Sequence, residues 1–593
     1  PIALEPAQWV SVTFNVTLPE DTDPNAVVRL IGDTYTLGNT FADLSGGVNT
    51  LASRAPVISK SAEGHYGLTL DLPSGLDLRY KYTLGDGFWN AERLSNGHFR
   101  LRQLIVPAKS TVINDVVETW STADYAPVHF EVTVPENTLT EDVVSIQFNP
   151  YTWTEPIPMW PAGENHWQYV LYSPLNILEK VGYRYCRNDQ CGLADDSTTM
   201  GSATAGKTLT INPEGQSQQD TVDAWAWWSS ETSPIAVAGT EITPRSSGFI
   251  AGVELSANYS PSWQPYLETG LKDLQNLKEN WVILSPTWSY SSTKTPALAP
   301  LPGQDPLWPD LSQMVERVQQ DNQSIALYPQ LNFPMAYADW WLASTRDAGW
   351  WQTWFDRYRT YLLHFADFAS RNSINALIIG GPEIQPALPG GKLFDGSSSG
   401  VPDDAEMRWR QLIAEVRTHY TGTLLWALPY SGTFDNAPAF ISAFDQIYLL
   451  WSAPLTDVNE SLETDLADEF GRQLDEVVFP AIEPFQKTVV IGLAYPSADG
   501  AATGCVRVDG SCQNLERLRA NDPSLGVAVD LNEQADIYDA ALTAINPRAW
   551  VAGLISRGYF PAATLQDFSP SVHGKPAGDV LWYWFPRLLG QED

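Results

Sequence analysis

This 593-residue chain is poor in the groups on which metal, thiol and imidazole chemistry depend: it has 4 cysteines, 7 histidines and 5 methionines. The cysteines form two close pairs, Cys186/Cys191 and Cys505/Cys512, with no nearby histidine and no zinc-like spacing. That pattern argues against a metal site and for two small disulfide loops made in an oxidising compartment. Basic side chains are also scarce, 35 Lys plus Arg against 70 Asp plus Glu, for a net charge of −35. Such a field repels phosphate backbones and anionic membranes, so nucleic acid is excluded as a natural partner. No apolar run reaches the roughly 18 residues of a spanning helix, and no membrane insertion is expected. With no phosphate-binding loop, metal cluster or Ser-His-Asp spacing, the expectation is no cofactor and no metal. No basic-then-apolar leader opens the sequence, which reads as a mature or trimmed chain. An extracellular or cell-surface location is inferred from the cysteine pairs, the acidity and the sequence texture.

What the chain has in excess is flat aromatic surface, 24 Trp and 24 Tyr. Pyranose rings present apolar C–H faces that stack on such side chains, so a polysaccharide or oligosaccharide is the first ligand to consider. Packing must account for a good share of these rings as well.

The length calls for several domains. From Trp9 to Trp120, short β-rich runs alternate with Gly, Pro, Asn and Asp, the texture of a β-sandwich. A second unit from Pro127 to Trp228 opens with a similar strand, HFEVTVPENT, and carries VGYRYCRNDQCGLADD where the first has LRYKYTLGDGFWNAE. It reads as a diverged repeat, and its Trp153, Trp160 and Trp167 are candidates for a sugar platform or an interface plug. The expected divisions are 1–122, 123–230, a Ser/Thr/Pro-rich linker at 231–247, and 248–593.

In that last segment, eight strand-like runs alternate with amphipathic helical stretches: FIAGVELSA, WVILSPTW, SIALYPQLN, NALIIGGPE, TLLWALPY, QIYLLWSAP, TVVIGLAYP and VAGLISRGYF. This is the signature of a (β/α)8 TIM barrel, whose chemistry sits at the carboxyl ends of its strands. Those ends carry Glu254 with Asn258, Trp288, Tyr328 with Gln330 and Asn332, Glu383, Trp426 with Tyr430, Trp451, Tyr495, and Arg557 with Tyr559. Rings for pyranose faces, amides for hydroxyls and carboxylates for acid–base work are what a sugar cleft needs. His364, in mid-helix, reads as a packed or surface residue.

Two resemblances add to this. The order VTFNVTLP, then VVRLIG followed by Leu37-Gly38-Asn39, then the YKY…FWNAE hairpin, resembles starch-binding family 20 carbohydrate-binding modules. The resemblance implies a sugar-stacking role for Trp89, although the same sandwich also serves as a spacer. The stretch WWQTWFDRYRTYLLHFADFASRNSINALIIGGPEIQ, with VDLNEQADIYDAAL and GKPA further on, resembles clan A glycoside hydrolases, nearest the β-mannanase-like family 113. The resemblance implies that Glu383, at the end of the fourth strand, is the general acid/base. It also implies a nucleophilic glutamate on the seventh strand, where this chain has VIGLAYPS with Gly492 in that place. The leading substitute is Glu254, which shares strand parity with Ile250 and Gly252. Its competing reading is a structural ion pair with Arg557. Asp435, Asp457 and Asp499 are further candidates for a base. The expected function is hydrolysis of a polysaccharide, glucan slightly before mannan. The alternative is a non-catalytic glycan-binding or self-assembling surface protein on a degenerate barrel.

Overall fold

The computed structural model describes residues 8–38, 55–61, 64–86, 88–122, 125–197, 206–227, 239–245, 248–257, 261–434, 437–458, 461–513 and 526–592, with single residues 237, 259, 515 and 518. Contacts divide the chain into two units, one running to Trp228 and including Gln264–Tyr266, the other holding the remainder.

The first unit is built from one plan used twice. In the strand Trp9–Thr17, Val10, Val12, Phe14 and Val16 alternate with exposed or half-buried residues, so one face enters the core. This strand pairs antiparallel with Tyr66–Pro73 and parallel with Thr111–Val116. Val128–Thr133 repeats the arrangement, antiparallel to His166–Leu171 and parallel to Gln216–Thr221. A second sheet closes each half, Arg29–Gly32 with Asp77–Thr83 and Arg102–Ile105, then Val144–Asn149 with Lys180–Arg187 and Lys207–Thr210. The duplication reaches single hydrogen bonds. Tyr80 and Tyr82 both donate to Asp115, at 3.0 and 2.9 Å, and Tyr183 and Tyr185 both donate to Asp220, at 2.9 and 2.8 Å. The β-rich N-terminal architecture expected from the sequence is present.

One apolar core runs through both halves. At their junction Asn90, buried with φ of 51°, donates to Tyr169 Oη at 2.8 Å and the Val170 carbonyl at 2.6 Å, and accepts from the Tyr172 amide at 2.8 Å. The hairpin that carries Trp89 therefore joins the two sandwiches, and Trp89 itself is half-buried against the core.

The second unit is a closed barrel of eight parallel strands in sequential order. We number them β1 (Ile250–Leu255), β2 (Trp281–Leu284), β3 (Ser324–Leu327), β4 (Ala376–Gly380), β5 (Thr423–Tyr430), β6 (Gln446–Trp451), β7 (Thr488–Leu493) and β8 (Val551–Tyr559). All eight sequence runs became strands. Side chains alternate across each strand, so one parity fills the interior: Ile250, Ile283, Ala326, Ile378, Leu425, Ala427, Leu450, Val490 and Ile555 pack together there. The other parity meets the helices. Residues 239–245 of the expected linker lie on this unit, where Thr243 and Glu241 bond Asn546 and the Arg245 amide donates to the Leu588 carbonyl. Both expected disulfides are formed, Cys186–Cys191 and Cys505–Cys512. Among the described residues no helix is long and apolar enough to cross a membrane, and no group of acidic, His or Cys residues could hold a metal.

Candidate active site

Interior parity decides which strand-end groups meet. Glu254 on β1 stands in register with Arg557 on β8, and both belong to the inward set. Glu254 is 3% exposed. Its Oε2 accepts from Tyr448 Oη at 2.6 Å and from Arg557 Nε at 3.2 Å, while its Oε1 accepts from Gln330 Nε2 at 3.2 Å. The expected ion pair with Arg557 is thus present, and it is one part of a larger set of donors. Burial, then the Glu254 carboxylate, pushes the Tyr448 phenol well above its usual range, so Tyr448 remains a donor.

Gly492 on β7 explains how these groups come so close. A Cβ at that position would lie 2.7 Å from Arg557 Cδ, 2.7 Å from Tyr448 Oη and 2.8 Å from Tyr448 Cε2. The room that a side chain on β7 would take is filled by Arg557 and Tyr448, the two groups that hold Glu254.

Glu383 follows β4 on the turn Pro382–Ala387. Gly380 and Gly381 before it have φ of 111° and 131°, backbone that residues with a Cβ rarely adopt. This pair of glycines turns the chain out of the strand and sends the carboxylate back toward β3. Glu383 Oε2 and Tyr328 Oη lie 2.6 and 2.8 Å from the same point, the position of a Cβ on Gly381. The Trp341 indole donates to the Glu383 carbonyl at 2.7 Å and fixes the turn. Behind it, burial and then the Glu383 charge push the Tyr358 phenol up. Tyr328 links the two carboxylates, since its ring meets the Tyr448 ring edge-on at 5.8 Å.

The remaining sequence candidates divide by parity. Trp426, with even parity on β5, is enclosed by Trp409, Phe440 and Phe444 in the helix layer. Trp451 stacks on Phe470 at 4.0 Å and donates to Tyr495, which in turn donates to the Ala453 carbonyl. Tyr430 donates to Gln473 at 3.0 Å, and Tyr559 donates to the Gly270 carbonyl at 3.2 Å and stacks on His573. Trp288 packs on Tyr361, His364 and Phe365. These six rings are committed to the wall between strands and helices, which leaves them no open face for a sugar in this conformation. Asn332 donates to buried Asp305, which also accepts from Thr287 and the Leu301 amide and so clamps the strap above β2 and β3. Arg557, expected to bind substrate, is engaged with Glu254. His364 is packed between Trp288 and Trp308, and burial lowers its pKa. Asp457 and Asp499 are exposed loop residues. Asn258 and Asp435 lie outside the described residues. The sequence reading missed Tyr448. Its signal was the alternation in QIYLLW, which gives Tyr448 and Leu450 one parity and Trp451 the other.

The carboxyl end of this (β/α)8 barrel thus holds one carboxylate on the turn after β4 and another facing inward from β1. The family model of Glycoside Hydrolase Family 113 matches residues 262–559, and the chain belongs to that family. Among solved structures it is similar to a family 113 β-1,4-mannanase, at 20% identity over 57% of this chain and 98% of that one, TM-score 0.44. It is also similar to the family 113 β-mannanase from Alicyclobacillus acidocaldarius, at 21% identity over 57% and 98%, TM-score 0.44. A family 18 chitinase from Pseudoalteromonas aurantia is 10% identical over 57% and 99%, TM-score 0.32. No curated protein sequence matches the chain.

Proposed function

We propose that this chain is an extracellular or cell-surface hydrolase of a polysaccharide, a glucan in preference to a mannan, with Glu383 as general acid/base and Glu254 as the second carboxylate. The observation that carries the reading is the Tyr328–Tyr448 contact, which sets two carboxylates on either side of one aromatic pair at the carboxyl end of the barrel. Hydrolysis with either stereochemical outcome needs two such groups flanking the bond. Glu383 protonates the glycosidic oxygen, and Glu254 supplies the opposing negative charge. Two disulfides support an oxidising location. The preference for glucan rests on the resemblance of the N-terminal sandwiches to starch-binding modules, with Trp89 and its exposed neighbour Phe88 as the surface rings.

A second reading, a glycan-binding or self-assembling protein without activity, is favoured by the low exposure of Glu254 and by donors on both its oxygens. The two separate when wild type and Glu383→Gln are incubated with a panel of glucans and mannans and reducing ends are counted. Release by wild type alone supports hydrolysis. Retardation by a polysaccharide in a gel without any release supports the second reading.

A further inference from the structure

Among the described residues, the exposed aromatic rings of the barrel unit are Phe394, Phe479 and Trp582. Phe479 and Trp582 lie on helices, whereas Phe394 lies on the loop after β4, at the carboxyl end of the barrel. Phe394 is 43% exposed. The turn that carries it forms without any help from the ring. The Leu393 amide donates to the Ser397 carbonyl, and the Gly396 amide to the Leu393 carbonyl, with Gly396 at a φ of 84°. The Asp395 carboxylate accepts from the Ser397 amide at 2.9 Å and from its hydroxyl at 2.6 Å. Asp and Gly specify such a turn by themselves, so the exposed ring is not a folding requirement.

The loop after β3 meets this turn. Tyr337, the first residue of the short helix Tyr337–Ala343, lies 5.0 Å from the Phe394 ring at 60°, and Phe333 lies 6.3 Å from Tyr337. Phe333 stacks in turn on buried Tyr290 at 5.1 Å, so the series runs from the interior to the surface. Met335 and Leu342 of the same segment are also exposed, at 48% and 42%. Residues 330–338, QLNFPMAYA, carry no charged group. On the neighbouring turn, the bonds from Ser397 and then the Arg346 charge hold the Asp395 carboxyl below its usual range. In a chain of net charge −35, an uncharged aromatic surface suits a neutral ligand and the remaining surface repels an acidic one.

Both loops are anchored on the turn of Glu383. The Trp341 indole, on the helix, donates to the Glu383 carbonyl at 2.7 Å. Arg346 donates to the Trp341 carbonyl and, at 2.9 Å, to the Ser344 carbonyl, which fixes the end of that helix. A Cβ on Gly391 would collide with the Pro386 carbonyl, so the loop after β4 folds directly back on the same turn. The open rings and Glu383 therefore share one rigid support. The aromatic strand ends expected from the sequence are packed into the wall, and the loops beyond the strands supply the open ring instead.

We propose that Phe394, Tyr337 and Met335 form a glycan-binding ledge beside the Glu383 turn, which takes a neutral pyranosyl chain by stacking on its C–H faces. The ledge rests on the reading of this end of the barrel as a glycan site, and it holds whether or not the bound chain is cleaved. Glucan and mannan chains both present such faces, and the choice between them is read from the test.

The test uses the full chain carrying Glu383→Gln, which leaves the ligand intact, with gluco-hexaose, manno-hexaose and a uronic acid hexamer. With a neutral hexaose, hydrogen exchange is expected to slow in peptides covering 333–346 and 388–399, and the barrel's melting transition, not that of the N-terminal unit, is expected to rise. The uronic acid hexamer is expected to do neither. Phe394→Ala is expected to weaken the hexaose by about tenfold, and Phe394→Trp to hold it at least as tightly as the native ring. Exchange measured with the native ring decides the matter should Phe394→Ala fail to fold. Protection absent from these peptides, equal protection by the acidic hexamer, or unchanged affinity in Phe394→Ala overturns the proposal. A dimer in analytical ultracentrifugation that Phe394→Ala dissociates also overturns it, since the ledge would then be a face between copies of this chain. If wild type releases no reducing ends while the ledge is protected, the hydrolase reading falls and the ledge stands. If wild type hydrolyses and the ledge is unprotected, the ledge alone falls.

Discussion

The replacement Gly492→Ala tests the core of the site without assuming any activity. Gly492 has an ordinary strand conformation, so alanine is allowed by the backbone and even narrows the unfolded ensemble, a gain of about 0.4–1 kcal/mol. Against that, its Cβ would lie 2.7 Å from both Arg557 Cδ and Tyr448 Oη. Neither neighbour can retreat cheaply, since both are bonded to Glu254 and enclosed by the barrel. Overpacking of this kind costs about 1–3 kcal/mol, and the net expectation is a loss of roughly 1–2 kcal/mol. For a unit of this size that lowers the barrel's melting transition by roughly 1–3 °C in differential scanning calorimetry, with the transition of the N-terminal unit unchanged. In an Arg557→Ala background part of the cost should disappear, because one of the two clashing groups is gone. A barrel transition that stays put or rises in Gly492→Ala would mean that the room above Gly492 is empty, and the account of how Glu254 is held would be wrong.

Other outcomes follow from the same geometry. Arg557→Met leaves Glu254 as an uncompensated buried charge and should cost about 3–5 kcal/mol in denaturant titration, with Glu254→Met in the same chain recovering most of it; additive losses would contradict the pairing. Gly381→Ala places a Cβ 2.6 Å from Glu383 Oε2 at a φ of 131°, so reducing-end release should fall with a stability loss of about 1–3 kcal/mol, and full activity would deny Glu383 its role. Glu279 is buried, which pushes its carboxyl up to about 8. The folded state therefore holds its proton more tightly than the unfolded state, and the stability this group contributes is full below the ordinary carboxyl range and lost as pH rises toward 8. Glu279→Gln should gain about 3 kcal/mol over wild type at pH 7 and almost nothing near pH 4, whereas a gain independent of pH would refute the assignment. Asn90→Ala removes three bonds across the sandwich junction and should destabilise the N-terminal unit by about 2–4 kcal/mol in thermal unfolding; an unchanged transition there would mean that the hairpin does not join the modules.

The fold was readable because its signals are local and repeated. Each barrel strand is a short apolar run ended by turn residues, and an alternation of strands with long amphipathic helices admits few architectures. The duplicated sandwich was visible in YKY and YRY, whose paired tyrosines turn out to share an aspartate in each half. The candidate site was legible only in part. Glu254 was found by strand parity and Tyr328 by its place at a strand end, but the search for aromatic strand ends also gathered Trp426, Trp451, Tyr430 and Tyr495, which lie on the opposite parity and pack outward. One residue along a strand separates a group in the mouth from one in the wall, and Tyr448, three residues before Trp451, was passed over for that reason.

The sequence by itself determined the order of the elements, the two cysteine pairs, the acidity, and the glycine pair that carries the chain from β4 to Glu383. These depend on propensity, spacing and backbone freedom, which act between near neighbours. Only the tertiary structure decided that Glu254, Arg557, Tyr448 and Gln330 form one group, and that Gly492 is the space that lets them do so. Those residues come from β1, β8, β6 and the segment after β3, and barrel closure, which brings the first strand beside the last, is what makes them neighbours.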